Sequence, residues 1–504
     1  MSEQKKAIII GAGFGGLSLS ILLARDGWDV TILEKNEQAG GRASLMEVTH
    51  GELSDNATDR DKVAFRFDMG PSWYLMPDVF DRFFESVGEK TSDYYDLVRL
   101  QPSYRVTFKD YDQQVDIYGN LTKDTKTFDA IEPGSGQKLR DYLKRSAYVY
   151  DVSVNKFLYR NYDSAKDFMS PALAREAHKL SLLSTMDKYV SKYFKDPRLQ
   201  QIMQYPLVFL GSSPYNAPAL YNLMSHVDFN QGVFYPQGGL YKVTEALVNI
   251  AEKNGVKIML NSPADKITVE NGHAVGVKTK GKTFAADAVI SNADPHHTES
   301  KLLEKPHRDH SEKYWKSRTL APSALLMYLG VDKQYKSLQH HNLLFSKNWK
   351  ANFDQIFDNP TFPDDPSLYV CAPSKTDPSV APKGKENLFV LVPIAAGLEY
   401  TEQELQIYAD KILSTMEKEM KLPGLRKNII YKKLFCVKDF ESRFNSLQGT
   451  GLGLAHTLKQ TAIFRPSNKS KKVSGLYYVG ANVHPGIGLP VCLISAELVR
   501  RRLN

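Results

Sequence analysis

The chain has 504 residues, 42% hydrophobic and 24% charged: enough apolar material for a large core, and too ordinary a charge content for global disorder. Its three cysteines, Cys371, Cys436 and Cys492, stand far apart with no metal-ligand spacing, so a disulfide scaffold, a zinc ribbon and an iron–sulfur cluster are not expected, nor is any metal. The formal net charge is +8, but no basic–aromatic stripe or nucleic-acid motif goes with it; nucleic acid drops out, leaving an anionic membrane surface or plain solvation.

The first six residues run straight into an apolar strand, with no signal-peptide pattern, and no stretch of 18 or more apolar residues follows. The expectation is a cytoplasmic protein, bound at most peripherally to the cytoplasmic face of a membrane. Ala7-Ile8-Ile9-Ile10 reads as a buried parallel strand, Gly11-Ala12-Gly13-Phe14-Gly15-Gly16 as a turn, residues 17–26 as a helix and 28–33 as a second strand ending at Glu34. In that context the turn is a dinucleotide cradle. Gly11 permits the tight turn, Gly13 lets a pyrophosphate approach the backbone, and Gly16 lets helix and strand pack closely. Glu34 is placed for ribose hydroxyls and repels a 2′-phosphate. Gln38-Ala39-Gly40-Gly41-Arg42 adds a second glycine pair and a guanidinium, which suits an extended dinucleotide better than a plain nicotinamide one.

Residues 51–62 are polar and read as a loop, 64–68 as a strand, 78–87 as a helix with one apolar side, and 95–118 as strands. Residues 133–183 are helix-rich, and 197–209 continue as an apolar helical stretch. The bulky run Tyr205 to Leu210 serves either core packing or the lining of a long apolar ligand site. From residue 233 the pattern returns to α/β: a helix over 241–254, strands over 256–260 and 286–290, and a hairpin turning at Asn271-Gly272. Residues 325–330 and 388–393 are strands, 401–418 a helix, and 359–385 a loop rich in Pro and Asp. Residues 475–480 form a last strand, followed by Asn482-Val483-His484-Pro485-Gly486-Ile487-Gly488-Leu489-Pro490 and a helix over 491–502. A glycine-rich loop opening a helix presents amides and a positive dipole end to an electron-rich ring such as a reduced flavin. The predicted architecture is α/β. A discontinuous Rossmann-like FAD-binding domain spans 1–75, 231–300 and 461–504. An inserted α+β substrate domain, with a helical, membrane-facing portion, spans 76–230 and 301–460.

These pieces together resemble the bacterial and fungal type of carotenoid desaturase, the phytoene desaturase family, within the flavin amine-oxidase-like superfamily. The resemblance covers nearly the whole chain. Its more specific carriers are Phe67-Asp68-Met69-Gly70-Pro71, Tyr235-Pro236-Gln237-Gly238-Gly239, Ser291-Asn292-Ala293-Asp294, Gln460 with Phe464-Arg465-Pro466, and the stretch from Gly480 to Pro490. Asn482-Val483 departs from the family's usual Gly-Thr or Ser-Thr. Asp68-Met69-Gly70-Pro71 with Met76-Pro77-Asp78-Val79 looks especially like the branch that includes diapophytoene desaturases.

The resemblance implies an FAD enzyme that strips hydrogen from adjacent carbons of a long polyene. It places Gly11, Gly13 and Gly16 at the pyrophosphate, Glu34 at a ribose, Gly41 and Arg42 at the second phosphate contact, and Ala264 at adenine. It places Gly480, Gly486, Gly488, Pro490 and Val491 at the isoalloxazine, with Gly70, Pro71 and Ser72 nearby. A hydride to flavin N5 and loss of a neighbouring proton would make the new double bond, in a water-free apolar tunnel. His484 and Asp68 are the candidate bases. A quinone or oxygen would reoxidise the flavin, and Arg500-Arg501-Arg502 would help docking on anionic headgroups. Rival readings are a desaturase of diapophytoene or of hydroxylated carotenoids, an isomerase or oxygenase on the same scaffold, an amine oxidase, and a non-catalytic FAD- or nucleotide-binding module.

Overall fold

The computed structural model describes residues 4–54, 60–162, 184–461 and 464–504. Its first layer grows from the apolar run near the N terminus. β1 (Lys6–Ile10), α1 (Phe14–Arg25) and β2 (Asp29–Leu33) are followed much later by α2 (Tyr241–Lys253), β3 (Lys257–Met259), β4 (Ala288–Ser291), β5 (Leu476–Tyr478) and α3 (Leu489–Leu503). The five strands make one parallel sheet in the order β5–β4–β1–β2–β3. Strand alternation decides what each face buries. Ala7 and Ile9 join the core of α1, α2 and α3, while Ile8 and Ile10 face a three-stranded antiparallel sheet through Ile267 and Val277. Both faces of β1 are therefore dry, which is why its run is continuous; each buried isoleucine contributes about 1.5–3 kcal/mol. In the small sheet Asn271 and Gly272 both have positive φ, +49° and +75°, as the tight hairpin demands.

The second layer is a seven-stranded mixed sheet. Its order is Ile429–Phe435, Ser323–Val331, Glu386–Ile394, Leu368–Cys371, His341–Phe345, Tyr104–Phe108, Gln113–Ile117. Leu325, Met327 and Leu329 bury against Leu405, Ile412 and Met416 of the helix Glu402–Glu419. That helix starts in a capping box, with Thr401 Oγ1 accepting from Glu404 N at 3.2 Å and Glu404 Oε2 accepting from Thr401 N at 2.8 Å. The alternate residues, Ala324, Leu326 and Tyr328, point the other way, into a second apolar cluster.

Three readings are corrected or bounded by the fold. The stretch 359–385 is not all loop: Leu368–Cys371 is a buried strand between two others. Its Pro- and Asp-rich flanks hid a four-residue segment too short to show alternation. Within 51–62 the polar composition conceals a short helix, His50–Leu53. Of the helix-rich stretch, Ser135–Val152 is a helix, whereas 163–183 lies outside the described residues. Arg500, Arg501 and Arg502 also make bonds within the fold. Arg500 Nε donates to Asp26 at 2.7 Å, Arg501 Nη1 to the Tyr159 carbonyl at 2.7 Å, and Arg502 Nε to Asn161 at 3.0 Å, fastening the last turn of α3 to the fold. Among the described residues no helix is long and apolar enough to cross a membrane.

Candidate active site

The turn after β1 is built from glycine because the backbone needs it. Gly11 sits at φ +97°, and its amide donates to the Leu33 carbonyl at 2.8 Å, tying the ends of β1 and β2 together. A side chain at Gly16 would run into the Gly11 carbonyl, so Gly16 serves packing. The Gly40 amide donates to the Ala12 carbonyl at 2.8 Å and bridges Gly40 to Gly13, so the second glycine pair folds against the first. Glu34 closes β2 with its carboxylate buried; it accepts from Ala12 N at 2.7 Å and Asn36 N at 2.9 Å, and burial raises its pKa in spite of these bonds.

A cavity of about 880 Å³ begins at these residues. Gly11, Gly13, Glu34, Gly41 and Arg42 line it, and so do Gly70, Pro71, Ser72, His484, Gly488, Pro490 and Val491. Arg42 is half-buried and donates through Nη2 to Ser446 Oγ at 2.9 Å, but its Nε is sealed from solvent with no hydrogen-bond partner among the described residues. Burial lowers the guanidinium's pKa, and the Asp294 carboxylate opposes this. A cation held so beside open glycine backbone suits the charge of a pyrophosphate, so the residues fit a bound dinucleotide.

The loop before α3 is fixed from behind. Arg465 donates to the Ala481 carbonyl at 2.8 Å and the Val483 carbonyl at 3.2 Å; Asn468 Nδ2 and Ser495 Oγ donate to the His484 carbonyl at 2.8 and 3.1 Å. This clamp sets the N-terminal turn of α3 against the cavity. The Asn292 side chain fills the space between Gly13, Gly15 and Gly480, where a Cβ at Gly13 would come within 2.6 Å of Asn292 Nδ2. Asp294 accepts from His296 N at 2.9 Å and from Asn482 Nδ2 at 2.9 Å, which gives the unusual Asn482 a purpose. Asn292, Asp294, Arg465 and Asn468 were not among the expected site residues. The motif around Asn292 and Asp294 was visible in the sequence, but the partners that give these side chains meaning lie more than 180 residues away.

The expected residues thus divide. Gly16, Gly480, Gly486, Ala264 and Asp68 stand outside the cavity wall. Gly480, at φ +106°, and Gly486, at φ +150°, shape the loop, and Ala264 packs on the core of the small sheet. The two oxygens of Asp68 accept from Leu240 N at 2.7 Å and Tyr241 N at 2.9 Å. It caps α2, and burial pushes it up to about 6. Both Asp68 oxygens are thus engaged by backbone amides at the start of α2. His484 does line it; Nε2–H donates to the Arg160 carbonyl at 2.9 Å, which puts the basic lone pair on Nδ1.

Much of the remaining wall is apolar: Phe80 and Val154 from helices, Leu326, Phe345 and Leu391 from the mixed sheet, and Phe440. Tyr205, Val208 and Leu210 from the bulky run also line it, so that run contributes to the cavity as well as the core. Phe464 lines the cavity yet is 59% exposed, which marks its mouth.

The chain matches the model of the flavin-containing amine oxidoreductase family over residues 14–503. The chain belongs to this family. The flavoenzyme is 47% identical over 490 residues to a carotenoid 3,4-desaturase of Haloarcula japonica, covering 97% of this chain and 96% of that protein. It is 34% identical over 507 residues to a zeta-carotene-forming phytoene desaturase of Myxococcus xanthus, covering 100% and 94%. Its fold is similar to that of an oxidoreductase from Methanosarcina mazei, with a TM-score of 0.62, 18% identity, and coverage of 98% and 100%. The flavoenzyme is an FAD-dependent oxidoreductase, as the two glycine segments and Arg42 had indicated.

Proposed function

We propose that this flavoenzyme is a carotenoid desaturase, taking two hydrogens from adjacent carbons of a long isoprenoid polyene. The observation that carries the reading is a continuous cavity lined both by the dinucleotide cradle and by a largely apolar wall. Bound FAD would supply the two-electron acceptor. The rest falls to the chain. Gly11, Gly13, Glu34 and Arg42 would hold the dinucleotide, and the first turn of α3 would border its ring. Leu326, Phe345 and Leu391 pack a hydrocarbon and exclude water, so that one allylic carbon is oriented and a carbocation is not quenched. His484 Nδ1 takes the proton from the neighbouring carbon. The relatives desaturate phytoene and a 3,4 bond, and we expect the 3,4 position to be preferred here on the strength of the 47% identity.

Substrate of this kind resides in lipid. We place the contact with a membrane at the mouth marked by Phe464, with a quinone or oxygen as terminal acceptor. The test is expression in hosts that accumulate phytoene, diapophytoene or lycopene, with products read by mass and absorption. Loss of two hydrogens per step from one of them supports the reading. Unchanged carotenoids in all three hosts, with peroxide-forming oxidation of polyamines by the purified protein, would replace it with an amine oxidase.

A further inference from the structure

Away from the dinucleotide cradle, three soft donors meet in the mixed sheet. His341 and Cys371 face each other across the antiparallel pairing of His341–Phe345 with Leu368–Cys371, and His340 adjoins them. One ligand atom from each of the three lies within 4.8 Å of the others, and all three side chains are buried, His341 completely. The two rings are already oriented from behind. His340 Nδ1 lies 2.8 Å from Thr376 Oγ1, and His341 Nδ1 lies 2.8 Å from the Tyr369 hydroxyl. A metal-bound imidazole is held in this way through the nitrogen that does not bind. The nitrogens left over, Nε2 of both rings, have no hydrogen-bond partner among the described residues. Two such atoms beside a thiol in a dry interior call for a ligand.

We propose that His340 Nε2, His341 Nε2 and Cys371 Sγ bind one borderline-soft divalent cation, of which Zn²⁺ is the type. Two imidazoles and a thiolate are donors that such an ion takes in preference to Mg²⁺ or Ca²⁺. Bond lengths of about 2.0–2.3 Å put tetrahedral ligand atoms roughly 3.5 Å apart, so the cluster closes by about 1 Å on binding. The Sγ–H bond breaks, its proton leaves to solvent and an S–metal bond forms; no oxidation is involved. The site's excess positive charge is offset by Asp377, whose charge acts on His340, and by Asp68, whose charge acts on Cys371. His341 stacks on Trp73 at 4.2 Å, and Trp73 and Tyr369 line the large cavity, so the ion would stiffen that wall. This site stands independently of the substrate assignment.

The test uses the full-length, FAD-loaded protein, stripped with a chelator and titrated with Co²⁺ as a difference spectrum against the bound flavin. One equivalent should bind with a thiolate-to-cobalt charge-transfer band, and Zn²⁺ should displace it. Cys371→Ser should abolish the band and weaken binding by at least about 100-fold, His341→Ala should weaken it comparably, and Cys436→Ala should change neither. Retained FAD shows that each variant is folded. Should Cys371→Ser not fold, X-ray absorption of the wild-type cobalt form must still show one sulfur ligand. Sub-stoichiometric binding, a site without sulfur, or an unchanged band in folded Cys371→Ser overturns the proposal.

Discussion

Arg42 concentrates the electrostatics of the cradle in one side chain. A half-buried cation whose Nε lacks a partner among the described residues destabilises the chain without its anion, and charge-assisted bonds to a pyrophosphate reverse that. Arg42→Met should leave the flavin-free protein as stable or more so by thermal unfolding, while FAD affinity by flavin-fluorescence titration falls about 10–100-fold. Unchanged affinity would detach Arg42 from the cofactor. His484 lines the cavity with Nδ1 as its basic atom, so His484→Ala should lower kcat by roughly 10²–10⁴-fold with FAD still bound; full turnover would leave the histidine a purely structural part of its loop. Backbone demands were readable where they are local, as at the tight turn of Gly11 and the close packing at Gly16. They were not readable where the partner is remote. The amides of Leu240 and Tyr241 that bond Asp68 lie 172 and 173 residues from it, and nothing about His340, His341 and Cys371 in the linear chain says that two strands bring them together.

At the scale of elements, β1, α1 and β2 announce themselves because one continuous apolar run, one glycine turn and one helical face lie within 34 residues. The strand Leu368–Cys371 does not, since its length carries no period and its burial comes from the neighbours on either side. Elsewhere a buried polar knot joins three elements: Asp228 Oδ2 accepts from the Tyr104 hydroxyl at 2.8 Å and the Tyr205 hydroxyl at 3.0 Å. Burial pushes Asp228 up to about 7 from an ordinary 3.8. The folded chain therefore keeps a proton that the unfolded chain releases between about pH 4 and 7. Its contribution to stability is full below that window, falls as pH rises through it and is flat above. Asp228→Asn, which keeps an acceptor for both tyrosines, should leave stability near wild type at pH 4 and raise it at pH 8, by no more than about 4 kcal/mol. Denaturant unfolding at the two pH values reads this; a difference that does not grow with pH would mean that Asp228 stays ionised in the fold.

At the scale of the whole molecule, the parallel sheet supplies a polar cradle and the mixed sheet an apolar wall, and the cavity exists only where the two meet. Composition and motif order foretold both parts; the continuity of the space between them depends on packing and could not be read along the chain. The mouth at Phe464 is apolar, and the C-terminal arginines are held within the fold, so docking on vesicles should depend more on that ring than on charge. Phe464→Asp should reduce liposome flotation several-fold, and raising the salt should reduce wild-type binding by less; the reverse order would return the docking role to the basic residues.

The most direct measurement is a single anaerobic turnover of the FAD-loaded protein with a carotenoid delivered in vesicles, following flavin absorbance and product mass together. A cavity that joins cradle and chamber requires the oxidised flavin to bleach by one equivalent as one carotenoid loses two hydrogens. Flavin that stays oxidised with phytoene, diapophytoene and lycopene alike, yet bleaches with a polyamine, would contradict the account.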